Sequence, residues 1–189
     1  MKNNTKFDEL VATFEKLPGV GKKSALRYAY HISINDPFLG LNLANSIENA
    51  VRNLRRCEVC GAICEDEICE VCCDTSRDRE KICIVESPKD ILIFEENAIF
   101  DGLYFVLDSS GDEIIAKLQR MIELNDVKEL IFAMTPGVNS DMLMLYVEDK
   151  ISIPNLKFSK IAQGIPTGVS VDSIDFISLS KALKDRVGI

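Results

Sequence analysis

A multi-part α+β chain is what this sequence predicts: a helical N-terminal unit (residues 1–56), a four-cysteine nodule (57–80), an α/β domain with a mostly parallel sheet (81–163) and a C-terminal segment with a helical stretch (164–189). Three observations predict it. Apolar residues in the first part recur at helical spacing, the next stretch carries four cysteines and almost no apolar periodicity, and beyond residue 80 short apolar runs alternate with helical patterns. That last texture is the one produced by parallel strands joined through helices.

Taken in order, Phe7, Leu10, Val11 and Phe14 fall at i, i+3, i+4 and i+7, one apolar helix face that must stop near Leu17-Pro18-Gly19. After Gly21, Ala25, Leu26, Ala29 and Ile32 give a second helix, whose apolar side also takes His31, the only histidine. Leu43, Ile47, Ala50, Val51 and Leu54 give a third within Asn42 to Arg56. The residues from Cys57 to Cys72 need something other than a core to hold them. Strands are expected at Ile82 to Val85, Tyr104 to Leu107, Leu130 to Ala133 and Phe158 to Ala162, with helices at Pro88 to Phe94, Asp112 to Leu124 and Asn139 to Lys150. Ser87-Pro88-Lys89-Asp90 makes a good helix start, with Ser87 capping, Pro88 in the first turn and Asp90 where negative charge is favoured. A Gly/Pro-rich loop, Gly164 to Gly168, precedes a last helical segment, Leu179 to Leu183.

Charge is divided along the chain. The net charge is −8, yet residues 1–56 hold nine Lys and Arg against five Asp and Glu, which leaves −12 on the rest. A basic arm on an acidic body reopens the question of a polyanionic partner that net charge alone would dismiss. No stretch approaches the roughly 20 apolar residues of a membrane-spanning helix, and Met1 to Lys6 leads into a charged amphipathic segment without the apolar run of a signal peptide. The expected compartment is the reducing cytoplasm, where seven cysteines read as thiols or metal ligands rather than disulfides.

The strongest chemical signal is Cys57-x2-Cys60-x8-Cys69-x2-Cys72. Each pair can present two thiolates to one ion, and two pairs complete the tetrahedral sulfur shell of a structural Zn2+; four ligands leave no open position for catalysis. Ordinary reduced cysteines and a redox pair are the alternatives. Cys64 and Cys73 could compete as ligands, while Cys83 reads as a small core residue in a strand. The second signal is Leu17-Pro18-Gly19-Val20-Gly21-Lys22-Lys23-Ser24-Ala25 between two helices. Gly19 and Gly21 allow a tight turn with positive φ beside a helix N-terminus, a concavity that suits a phosphate oxygen; Lys22, Lys23 and Arg27 add charge without reading base identity. A plain helix-helix turn with solvated lysines is the bland alternative. The third signal is a weak set of acids, Glu86, Asp108 and Asp141, near the ends of the expected strands. There a Mg2+ site could form, but so could a solvated sheet edge. No Asp-x-Asp occurs, which points against such a Mg2+ site, the glycine turn is not a P-loop, and with one His and no Gly-x-Ser-x-Gly triad hydrolysis has almost no support.

The glycine turn resembles the helix-hairpin-helix motif of DNA-binding proteins. Together with the four-cysteine finger, Ile82-Cys83-Ile84-Val85-Glu86-Ser87-Pro88-Lys89-Asp90, Tyr104 to Leu107, Ala162 to Gly168 and Leu179 to Leu183, it resembles the RecR family of bacterial recombination mediators over nearly the whole chain. The resemblance implies a Toprim-like α/β domain without established catalysis, ring-like oligomers (dimer or tetramer) with the 164–189 segment as a contact, DNA binding at the nucleoid, and partnership with RecO or RecF in loading RecA. It carries the zinc role onto Cys57, Cys60, Cys69 and Cys72 and the DNA role onto Lys22, Lys23 and Arg27. The expected function is therefore a non-enzymatic adaptor or clamp in recombinational DNA repair. The rival is a Mg2+-dependent Toprim-type enzyme using Glu86 as acid/base and Asp108 for the metal, and an adaptor with no DNA role is a third reading.

Overall fold

The computed structural model describes residues 5–162 and 168–184 and divides into two compact units, Met1–Leu54 and Arg55–Ile189. The expected loop at residues 164–167 lies outside the described residues.

The first unit holds three helices: α1 (Thr5–Glu15), α2 (Lys22–Tyr30) and α3 (Pro37–Asn53), with a single π-helical turn, His31–Asn35, between the last two. Helix α1 ends where Pro18 can no longer supply a backbone donor. Phe14 of α1 meets Tyr28 of α2 edge to face, with ring centroids 6.1 Å apart. Helix α3 begins earlier than its apolar spacing suggests because Asp36 caps it, its side chain accepting from the Leu39 N–H at 2.9 Å, and Pro37 fits the first turn. His31 is exposed at the start of the π turn rather than on a buried apolar face. Only Ala25 and Ala29 are buried among the described residues of this unit.

The second unit opens with a two-stranded antiparallel ribbon, β1 (Arg55–Arg56) against β2 (Ile63–Cys64), followed by the short helix α4 (Glu70–Cys73). Then come β3 (Asp78–Val85), α5 (Pro88–Glu96), β4 (Gly102–Val106), α6 (Asp112–Asn125), β5 (Glu129–Ala133), α7 (Val138–Lys150), β6 (Lys157–Lys160) and α8 (Phe176–Lys184). The four longer strands form one sheet in the order β4-β3-β5-β6, parallel at every pairing. Alternation along the strands divides the core in two, as a sheet buried on both faces requires. Ile82, Ile84, Leu103, Phe105, Leu130 and Phe132 point into one cluster with Leu118 and Ile122 of α6 and Val147 of α7. Cys83, Val85, Tyr104 and Val106 point the other way, onto Ile91 of α5 and the cysteines of the ribbon. The Ser87 capping box is fully formed: Lys89 N–H donates to Ser87 Oγ at 3.3 Å and Ser87 N–H to Asp90 Oδ2 at 2.9 Å.

Candidate metal centre and nucleic-acid hairpin

The hairpin between α1 and α2 turns on Gly19, whose φ of +77° lies where a side chain would be strained. Gly21 does not share that conformation: at φ −86° and ψ 168° it is the extended N-cap of α2. Having no side chain, Gly21 gives the first turn of α2 no side-chain acceptor, and its flank is open, with nothing within 4 Å of where a Cβ would stand on either glycine. The first-turn N–H groups therefore face outward with the positive end of the helix dipole. Lys22, Lys23 and Arg27 are all exposed, and none is salt-bridged among the described residues. Lys23 and Arg27 are one turn apart on the face opposite the buried Ala25 and Ala29, and the Arg27 guanidinium lies 5.3 Å from the Tyr28 ring centroid. This surface can hold anionic oxygens through backbone amides and nearby cations.

The ribbon hairpin and α4 bring Cys57, Cys60, Cys69 and Cys72 together, with all four sulfurs within 4.8 Å of one another. Cys57 to Cys72 measures 3.9 Å and Cys60 to Cys69 3.5 Å. A tetrahedral ion with metal–sulfur bonds of about 2.3 Å sets its sulfurs about 3.8 Å apart, so the shell fits such an ion. Backbone donors support it: Ala62 N–H points at Cys60 Sγ (3.4 Å) and Cys69 N–H at Cys57 Sγ (3.3 Å). Gly61, at φ +80°, makes the first knuckle's turn, closed by Cys57 N–H to the Ala62 carbonyl at 2.7 Å. Cys57, Cys60 and Cys69 are buried and Cys72 half-buried. Hydrogen bonding within the thiol cluster holds Cys57 well below the ordinary thiol range and pushes Cys60 and Cys72 up. Without a cation the cluster cannot carry its full set of thiolates, which is the charge a divalent ion supplies.

The leftover cysteines fall elsewhere. Cys64 Sγ lies 2.9 Å from the Asp66 carbonyl and Cys73 is exposed, so neither belongs to the shell. Cys83 is buried in β3, and burial pushes its thiol up to about 12.

The strand-end acids do not gather. Among the described residues the four cysteines form the one group of three or more His, Cys, Asp or Glu able to share an ion. Glu86 Oε2 accepts the Thr135 N–H at 2.9 Å, Asp108 Oδ2 meets Arg56 Nη1 at 2.5 Å, and Asp141 lies 3.9 Å from Lys160 Nζ. Arg56 thus occupies the carboxylate that a Mg2+ ion would need at the end of β4. Sequence reasoning missed this pair, since its members are 52 residues apart. It also missed Arg79, whose Nη2 donates to the Cys72 carbonyl at 3.1 Å and whose Nη1 donates to Asn125 Oδ1 at 2.8 Å, joining α4 to the end of α6. Alternating charges at Asp78 to Lys81 were the only available hint.

Comparison with known proteins matches residues 7–51 to the RecR helix-hairpin-helix family model and residues 80–162 to the Toprim domain model. A Campylobacter jejuni protein named Recombination protein RecR is 50% identical over 189 residues, all of both chains. Relatives of the same name from Nitratiruptor sp. (49% over 184 residues, 97% of each chain) and Helicobacter pylori (45% over 181 residues, 96% of this chain and 94% of the relative) are similar end to end. No helix among the described residues is long and apolar enough to cross a membrane. Hairpin, cysteine shell and parallel α/β sheet thus occur in one chain, in one order, with relatives matched from end to end, and the chain belongs to the RecR family.

Proposed function

We propose that this chain is a non-enzymatic recombination mediator of DNA repair, acting in the cytoplasm on the nucleoid. Gly19, Gly21, Lys22, Lys23 and Arg27 hold the phosphate backbone without sequence preference. Cys57, Cys60, Cys69 and Cys72 hold one structural Zn2+, which closes the thiolate shell and fixes the nodule. The observation that carries the reading is the uncapped N-terminus of α2 beside three cations that no carboxylate of the described residues engages. Relatives of this length named for recombination support it.

Oligomerisation belongs to the same reading. A 54-residue unit in which two alanines are the buried side chains among the described residues gains little from its own core. Helix α3 leaves Phe38 (74% exposed), Leu41 (67%) and Val51 (78%) in solvent, apolar side chains suited to another copy, with the 164–189 segment as a second contact. RecO- or RecF-type proteins and the loading of RecA complete the proposal, carried by family membership.

The experiment is a DNA-binding titration at two salt concentrations. Three phosphate contacts give a log–log salt slope near −2.7, a loss of about 40-fold in affinity from about 50 to about 200 mM salt. Lys22→Ala/Lys23→Ala/Arg27→Ala should weaken binding and flatten that slope. Binding and slope left unchanged would remove the hairpin from the interface. Mg2+-dependent nicking or synthesis lost in Glu86→Gln would instead support the enzyme reading.

A further inference from the structure

Strand β4 is one edge of the four-stranded sheet. An open edge offers unpaired N–H and C=O groups to any strand that approaches, and folded proteins cover or disrupt such edges. Here the first cysteine knuckle does the covering. The Val106 N–H, pointing away from β3, donates to the Cys60 carbonyl at 2.8 Å, so a backbone group of a shell residue fills a ladder position of β4. The next residue, Gly61, comes so close that a Cβ there would meet the Val106 Cβ at 3.0 Å, and its φ of +80° also favours glycine. Just past the strand, Arg56 of the ribbon holds Asp108. Cys57, Cys60 and Cys69 share one apolar cluster with Tyr104 and Val106.

The nodule lacks the means to keep this position alone. Its regular structure is two strands of two residues and a helix of four, far below what is stable in isolation. Apart from one backbone bond, Glu58 N–H to the Glu67 carbonyl at 2.9 Å, what joins the knuckle lying on β4 to the knuckle held by Arg79 is the sulfur shell. We propose that the cysteine nodule is a metal-operated cover for the free edge of the sheet. With the shell closed, Cys60 and Gly61 are fixed against Val106 and Arg56 against Asp108; with it open, the edge of β4 and the Asp108 carboxylate are uncovered. This rests on the reading that the four cysteines hold zinc.

Hydrogen–deuterium exchange of the full chain, read by mass spectrometry before and after chelation and with zinc measured by elemental analysis, tests both. Chelation should speed exchange in segment 102–108 by about tenfold or more, the scale of a lost backbone hydrogen bond and its shielding, while segments 82–85 and 129–133 keep their rates. Re-added zinc should restore protection. In Gly61→Ala, which keeps all four thiols, protection of 102–108 and zinc affinity should fall together, because coupling between two sites is reciprocal. A purified chain without stoichiometric zinc overturns the metal reading and the metal control with it. Zinc-bearing protein whose 102–108 segment ignores chelation overturns the cover alone, as does a uniform acceleration of every strand or normal protection of 102–108 in Gly61→Ala.

Discussion

Arg77 gives the sharpest test of how the second unit is held together. Its Nη1 donates to the Gly102 carbonyl at 3.0 Å, its Nη2 pairs with Glu95 Oε2, and its guanidinium lies 5.8 Å from the Tyr104 ring centroid. Tyr104 in turn donates to Glu95 Oε1 at 2.7 Å and sits between Phe94 and Phe100 at 6.0 and 5.4 Å. The Arg77 side chain is 14% exposed and Glu95 29%, so water can partly replace what a substitution removes. Arg77→Met keeps the stem and deletes the charge. One hydrogen bond to a charged partner is worth about 1.5–3 kcal/mol and a cation–π contact about 0.5–1, and solvent access at Glu95 argues for the lower ends. The expected loss is about 2–3 kcal/mol, or roughly 6–9 °C in Tm for a chain of this size. Urea titration of metal-loaded protein followed by far-UV circular dichroism measures it. The double variant with Glu95→Gln should cost clearly less than the two singles summed, because the second change removes the carboxylate that the first leaves unpaired. A single variant within about 0.5 kcal/mol of the parent, or strict additivity, would refute the reasoning.

Two further outcomes follow from local geometry. Gly19→Ala should destabilise the first unit by about 1–2 kcal/mol because φ is +77° there, whereas Gly21→Ser, at an extended N-cap with open space around it, should leave its stability unchanged or slightly raised in thermal melts. In Glu129, the hydroxyl of Ser159 (2.7 Å) and the ammonium of Lys157 (3.0 Å) hold the carboxyl below its ordinary range. A depressed carboxyl contributes stability that is present above the unfolded-state value and lost as pH falls through the folded one. Glu129→Gln should therefore flatten the acid side of the stability-versus-pH curve and leave the neutral side parallel to the parent; an unchanged acid limb would refute the pairing.

How much was legible in the sequence depended on whether the relevant signal was local. Runs such as Leu130 to Ala133 and the Asp112 to Leu124 period sit within a residue of β5 and α6, because both elements bury the residues that define them. Strand β3 starts four residues before its apolar run: Asp78 to Lys81 are polar, three of them half-buried and Glu80 exposed, and the pairing with β4 shifts register there. Apolar spacing predicts helix α3 only from Asn42, but it begins at Pro37, since Phe38 and Leu41 face solvent within this unit and do not follow a buried-face period. Paired cysteine spacing is enough to identify the sulfur shell, and only the geometry separates Cys64 and Cys73 from it. The turn needed glycine at one of its two positions rather than both. Arg56 to Asp108 and Arg77 to Glu95 were invisible, because no periodicity links charges that meet only when the sheet is assembled.

The same contacts alter the charge argument. Arg55 and Arg56 belong to the second unit, and Arg56 is matched by Asp108, so the first unit keeps seven Lys and Arg against five Asp and Glu. Its excess is slight, and what can favour phosphate there is the concentration of Lys22, Lys23 and Arg27 at one uncapped helix start. Three contacts of this kind give weak, salt-sensitive binding at a single hairpin. Useful affinity on the proposed reading must come from several hairpins engaging one DNA, which raises effective concentration without any new contact. The exposed apolar residues of α3 offer the means of gathering them. A Leu41→Glu substitution among them should therefore weaken DNA binding without touching a cation, and should do so in step with the oligomeric mass measured by light scattering. Binding that survives in a strict monomer would separate the two and leave the hairpin to act alone.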